Sequence, residues 1–246
     1  MPKFIQYIFI ALASNGFSIS VTAQTFPSDS LFLQKSVDSA IALQKRTLGE
    51  NLRLYNGPAY SLSYSGTKGH PYFLADSLQP ATILYDGGIY HNIPLLFDLI
   101  SDDVVISSFH HDHLLTLVKD KVDGFLLAGH SFERLDNDSS HGAYVSPGFY
   151  EILYKDSTAV YARHEKKLKE LARVEGIDAR FIDFHYYFLR RDNLYYSVDN
   201  ESSLVNAFGN RKNDVKTYLH KNHIKFKKDP ISAMVHAAAY YDQVKK

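Results

Sequence analysis

Between Tyr60 and about Asp199 the chain alternates short apolar runs with turn signals. Thr82-Ile83-Leu84-Tyr85 meets Asp86-Gly87-Gly88 and continues as Ile89-Tyr90, the pattern of a β-hairpin. Further runs at residues 95–100, 104–106, 114–118, 122–127 and 131–135 are separated by short polar stretches. Residues 149–154 and 158–162 flank Lys155-Asp156-Ser157, and residues 181–189 and 194–198 flank Arg191-Asp192-Asn193. Spacing this short leaves no room for crossover helices, so the sheet is expected to be antiparallel. Residues 163–175 (RHEKKLKELARVE) break the pattern and are read as a short exposed helix with Glu165 and Lys169 paired, a charged linker being the alternative.

The ends of the chain have a helical period. Residues 29–48 place Val37, Ile41 and Leu48 on one stripe, with Asp29 or Ser30 as cap and Gly49 as stop. Asn56-Gly57-Pro58 is a strong breaker. Near the C-terminus, Ser202 is read as the cap of a helix carrying Leu204, Val205 and Phe208. Residues 214–222 carry Val215, Tyr218 and Leu219 on one face, and Asp229-Pro230 starts a last helix lined by Met234, Ala238 and Tyr241. The predicted class is therefore mainly antiparallel β (α+β): a β-meander sheet or open barrel with an N-terminal helix and two or three C-terminal helices. The runs are mostly five or six residues, short of the nine to eleven a membrane barrel strand needs.

The first residues, MPKFIQYIFIALASNGFSISVTAQTF, read as an export signal. Lys3 precedes an apolar run from Phe4 to Ala13, and Val21-Thr22-Ala23 supplies short residues at a cleavage site. Residues 1–23 are the expected signal peptide and 24–246 one globular domain, divided into a helical segment (24–57), the β meander (58–199) and the C-terminal helices (200–246). The expected location is outside the cytoplasm: periplasm, outer-membrane association or secretion.

Composition narrows the chemistry. In 246 residues, 45% hydrophobic content is enough for a packed core. Lys plus Arg and Asp plus Glu number 27 each, so net charge gives no global reason to expect nucleic acid or an anionic membrane as a partner. Removing residues 1–23 takes one base, Lys3, and no acid, leaving 26 against 27. Cysteine is absent, which excludes disulfides, zinc–thiolate sites and thiol nucleophiles. The chain is tyrosine-rich, with 18 Tyr and 16 Phe but no Trp, a composition that favours pleated surfaces. There is no Gly-x-Ser-x-Gly elbow, no His-Glu-x-x-His, no phosphate loop and no dinucleotide fingerprint.

Four features remain as candidates. In His110-His111-Asp112-His113, an extended segment would set His111 and His113 on one face, about 6.6 Å apart. Two such imidazoles can chelate zinc, with His91, His130 or a carboxylate as a third ligand, the alternative being an exposed turn or strand edge where His is simply tolerated. His70, in Gly69-His70-Pro71, is a candidate general base or simply part of a loop anchored by Tyr72 and Phe73. Arg211, Lys212, Lys216, Lys221, Lys225, Lys227 and Lys228 face Asp214 alone in their segment, either a patch suited to an anionic envelope polymer or lipid head group or a solvated helix face that offsets acids elsewhere. Tyr186-Tyr187 and Tyr195-Tyr196 are expected to meet across a hairpin, as cross-strand pairs or a sugar-stacking surface.

The order Leu54-Tyr55-Asn56-Gly57, Gly69-His70-Pro71-Tyr72-Phe73, Ile83-x-Tyr85-Asp86-Gly87 and Ile93-Pro94-Leu95-Leu96-Phe97-Asp98 resembles a family of uncharacterised exported proteins of Bacteroidetes-type bacteria. The Ser-Leu-Val-x-x-Phe helix, the segment from Tyr218 to Phe226 and Tyr240-Tyr241-Asp242 carry the resemblance through the tail. It implies export and a shared fold, and assigns no catalytic residue. The expected function is that of a non-catalytic envelope or periplasmic binding or accessory protein. The alternative is a metal-dependent hydrolase built on His111 and His113.

Overall fold

The computed structural model describes residues 28–48, 53–61, 64, 67–136, 142–173 and 176–245. The export-signal reading and the Gly49 stop lie outside these residues. The chain divides into two compact units, Met1–Thr47 and Leu48–Lys246. The described part of the first belongs to helix α1 (Ser28–Leu48), on which Leu33, Val37 and Ile41 are exposed.

The second unit is built on a ten-stranded antiparallel open sheet. Its strands are β1 (Gln79–Tyr85), β2 (Gly88–Asp98), β3 (Asp103–Ser107), β4 (Leu114–Thr116), β5 (Val122–Leu127), β6 (His130–Leu135), β7 (Gly148–Lys155), β8 (Ala159–Arg173), β9 (Gly176–Arg191) and β10 (Leu194–Ser197). The spatial order β10-β9-β8-β7-β6-β5-β1-β2-β3-β4 is two meanders joined where β5 returns to pair with β1. In a flat sheet β4 would lie four spacings, about 19 Å, from β5 at roughly 4.8 Å each. The link, residues 117–121, contains a 3-10 turn (Lys119–Lys121) and rises only about 2 Å per residue there. A link that short closes only because the first strands roll. The roll encloses a core of Ile83, Leu95, Phe97, Ile106, Phe125, Phe132 and Phe149.

Local chemistry sets the turns. Asp86 and Gly87 both take positive φ (50° and 74°), the requirement of a two-residue hairpin turn that matches strand twist. Residues 89–98, read as two runs, are one strand, because a bulge between Ala81 and Ile83 sets His91 and Asn92 against Thr82. Both sheet edges are blunted. Pro58 and Tyr60 bond Thr116 and Leu114 on β4, and Ala143 bonds Tyr195 on β10. Gly57 is needed for the first of these, since a Cβ there would run into the Thr116 carbonyl oxygen.

Residues 163–173 are not helical. They belong to β8, which pairs with β9 continuously from Ala159↔Arg190 to Arg173↔Gly176. Alternate residues meet partners across the hairpin, and the long ladder of backbone bonds overrides a weak local helical preference. With 11 residues in β2, 15 in β8 and 16 in β9, these strands are also longer than the runs suggested.

Helices α2 (Glu201–Asn206), α3 (Lys212–Lys221) and α4 (Pro230–Lys245) pack as a layer on β7–β9. The cap of α2 is Asn200, not Ser202: Asn200 accepts from the Ser203 backbone N–H and Ser203 Oγ reaches back, a capping box. Pro230 follows Asp229, whose Oδ1 accepts from the Ser232 N–H at 2.9 Å. Leu204, Phe208, Leu219, Met234 and Ala237 form the inner face with Val160 and Leu189 of the sheet. Among the described residues no helix is long and apolar enough to cross a membrane.

Candidate functional site

Four polar side chains from four adjacent strands form one hydrogen-bonded row: His130 on β6, Glu151 on β7, His164 on β8 and His185 on β9. Their register places them diagonally. Phe132 and Ala162 lie directly opposite Glu151, so His130 and His164, each two residues along its strand, share its face. Ala162 leaves the room into which the longer side chains lean. Glu151 Oε1 meets His130 Nδ1 at 2.5 Å and Oε2 meets His164 Nε2 at 2.6 Å. His164 Nδ1 in turn lies 2.8 Å from Nδ1 of His185, its direct partner across β8 and β9. Glu151 is only 7% exposed, and Phe73 packs its ring at 5.1 Å from His130 and 5.2 Å from His164.

Burial alone would raise the Glu151 pKa, but the bonds from His164 and His130 outweigh it and hold the carboxyl below its ordinary value. An ionised carboxylate only accepts, so both imidazoles must donate to it. Neutral His164 then keeps its hydrogen on Nε2 and presents a lone pair at Nδ1, and His185 must donate from its own Nδ1. Burial, and after it the positive charge His164 carries when protonated, lowers the His185 pKa.

These shifts fix a sign. Both groups bind protons less readily folded than unfolded, so each contributes stability above its unfolded value that is lost as pH falls through its folded one. The window opens below about 6.5 for His185 and below about 4.5 for Glu151. Asp102, pushed by burial up to about 6 against the pull of Arg163, runs the opposite way between its unfolded 3.8 and 6. The expected result is therefore a difference. On chelator-treated protein, the unfolding midpoint of the parent should fall relative to that of His185→Gln as pH is lowered from 7 to 5. Parallel curves would show that His185 does not titrate with folding.

The residues singled out from the sequence lie elsewhere. His111 and His113 are in a closed turn, not a strand: Ser108 donates its N–H to the His113 carbonyl at 2.9 Å, and His111 has φ +60°. Strand alternation therefore does not bring the two rings together. His111 Nδ1 lies 2.9 Å from Ser107 Oγ, and His113 Nδ1 lies 2.6 Å from Asp112 Oδ1. His91 contacts Thr82 Oγ1 at 3.2 Å, and His130 belongs to the row above. Among the described residues no group of three or more His, Asp or Glu is arranged to hold a metal ion. His70 accepts Lys166 Nζ at its carbonyl at 3.0 Å, while its Nδ1 is buried and without a partner. Tyr195 and Tyr196 pair with Arg190 and Leu189, and Tyr186 and Tyr187 with Arg163 and Ala162, so the two tyrosine pairs do not face each other.

The basic segment is solvent-accessible. All seven of its Arg and Lys residues are exposed on or beside α3. Arg211 bonds Asp214 at 3.1 Å, and His220 bonds Glu201 of α2 at 3.3 Å. A depression of about 460 Å³ between α2 and α3 is lined by Glu201, Ser202, Val205, Asn206, Lys212, Asn213 and Lys216.

Glu151, His164 and His185 were not anticipated. A lone acid inside the apolar run Phe149-Tyr150-Glu151-Ile152-Leu153-Tyr154 was the available signal for the first. Reading 163–175 as a helix hid His164, and with it the cross-strand partner of His185. Comparison of the chain with protein-family models, with curated proteins and with solved structures returned no match.

Proposed function

We propose that the chain is an exported, non-catalytic envelope protein that binds an anionic partner through the basic face around α3. The observation that carries this reading is the exposure of Arg211, Lys212, Lys216, Lys221, Lys225, Lys227 and Lys228 on or just beyond the ends of α3, with two of the lysines lining a depression beside Ser202, Asn206 and Asn213. Clustered cations attract anionic groups, each worth about 1 kcal/mol near an anionic surface. The signal-like N-terminus and the resemblance to exported proteins support the location.

The test uses mature protein and vesicles, zwitterionic or containing an anionic phospholipid. Binding should require the anionic lipid and weaken with added salt. Lys212→Gln combined with Lys216→Gln removes two charges, about 2 kcal/mol, and should weaken binding roughly thirtyfold. Equal binding to both vesicle types would end the reading of the basic face. Turnover of a glycan, ester or peptide by the same preparation would end the non-catalytic one.

A further inference from the structure

We propose that His164 and His185 form a binding site for a divalent cation of the imidazole-preferring class, Cu²⁺ or Zn²⁺, with Glu151 orienting the inner ligand. The two rings are direct cross-strand partners and their Nδ1 atoms converge at 2.8 Å. In the metal-free chain one proton must lie between them, because His164 spends its own hydrogen on Glu151. A cation can take the place of that proton. Imidazole nitrogens bind zinc at about 2.0–2.1 Å, so a tetrahedral angle needs the two nitrogens about 3.3 Å apart. The opening required is therefore about half an ångström.

The remaining features are those of a metal-binding histidine. A histidine ligand characteristically donates its remote N–H to a carboxylate, which fixes the tautomer and raises ligand basicity. His164 does so to Glu151, a group almost fully buried and held from its other side by His130. Phe73 forms an apolar wall beside His164. His185 is exposed and provides the path of entry. Asp183, two residues along β9, is engaged by Lys166 at 3.6 Å. With two protein nitrogens the ion keeps open positions filled by water, so the site exchanges its ion and binds it more weakly than a closed structural site. Stability should follow the usual order for nitrogen ligands, Cu²⁺ above Zn²⁺.

The test is calorimetric titration of chelator-treated mature protein with CuCl₂ or ZnCl₂ alone. One equivalent should bind, copper more tightly than zinc, and the copper EPR spectrum should show coupling to two nitrogens. Glu151→Gln should weaken binding by about 10–100-fold. His185→Gln, at an exposed position, should abolish the two-nitrogen signal. His111→Ala combined with His113→Ala should leave both readouts unchanged. Absence of a stoichiometric event, or an event that His185→Gln leaves intact, would overturn the proposal. These readouts do not depend on vesicle binding, so the two proposals stand or fall separately.

Discussion

Asp242→Ala should cost about 4 kcal/mol of folding stability, a large fraction of the roughly 5–15 kcal/mol by which native proteins are stable. Asp242 is 2% exposed, yet it carries a carboxylate. It stays inside because four donors converge on it from the β7–β8 turn. Tyr154 Oη donates at 3.1 Å, Ser157 Oγ at 2.6 Å, and Thr158 through both its N–H and its Oγ1 at 3.1 and 3.0 Å. Burial, and then the bond to Asp242, pushes the Tyr154 hydroxyl up to about 12, so it remains a donor throughout the ordinary pH range. Removing the carboxylate leaves the two Thr158 donors buried without an acceptor, at about 1–3 kcal/mol each. It also detaches α4 from the turn that holds it on the sheet. Asp242→Asn keeps one acceptor oxygen but turns an amide toward the donors, and should cost less than Ala. Urea unfolding gives both values. A loss under 1 kcal/mol for Asp242→Ala would mean that water replaces the carboxylate. A cycle with Thr158→Val should then show a coupling of at least about 0.5 kcal/mol if the contact is direct.

The Asp242 contact also shows what was legible in the sequence. Tyr240-Tyr241-Asp242 reads as one turn of a helix, and the helix is there. Nothing local says that the acid on it is buried, because its partners lie more than eighty positions earlier. The same division runs through the fold. Period-two and period-3.6 patterns identify nearly every strand and helix, since those are local consequences of which face is buried. The return of β5 to β1 is not local. It depends on the rolling of β1–β4, which a run of apolar residues does not encode. The 163–175 segment failed for a related reason. Its Lys and Glu residues favour a helix in isolation, and only pairing with β9 makes a strand the better use of its backbone. The candidate site inherits that failure, because His164 meets Glu151 and His185 only once β7, β8 and β9 are in register. The histidines that stood out instead, His111 and His113, did so through adjacency, and adjacency in a tight turn separates their partners. The basic segment needed no long-range register, so its exposed face could be read directly from its charges.

Phe97→Ala should cost about 3–5 kcal/mol, as expected for emptying an aromatic side chain from a packed core. Phe97 is 1% exposed and lies among four other phenylalanines. Its ring centroid is 5.2 Å from Phe125, 5.3 Å from Phe132, 5.9 Å from Phe149 and 6.5 Å from Phe73. These rings come from β2, β5, β6, β7 and the loop before β1, so they tie the rolled strands to one another. No single neighbour can relax into the space without giving up its own edge-to-face contacts, which keeps the cavity open and the cost high. Phe97→Leu fills most of the volume and should cost less. Ile231→Ala, at a position 38% exposed, should stay within about 0.5 kcal/mol and serves as the control. The cavity should also be felt at the histidine row, because Phe73 touches Phe97 on one side and His130 and His164 on the other. Nuclear magnetic resonance of the imidazole Cε1–H groups reports this directly. In Phe97→Ala, the His130 and His164 resonances should shift or broaden while those of His220 and His223 on the helical layer do not. Unchanged row resonances, or a stability loss no larger than that of Ile231→Ala, would show that the phenylalanine cluster is neither the keystone of the roll nor the wall of the site.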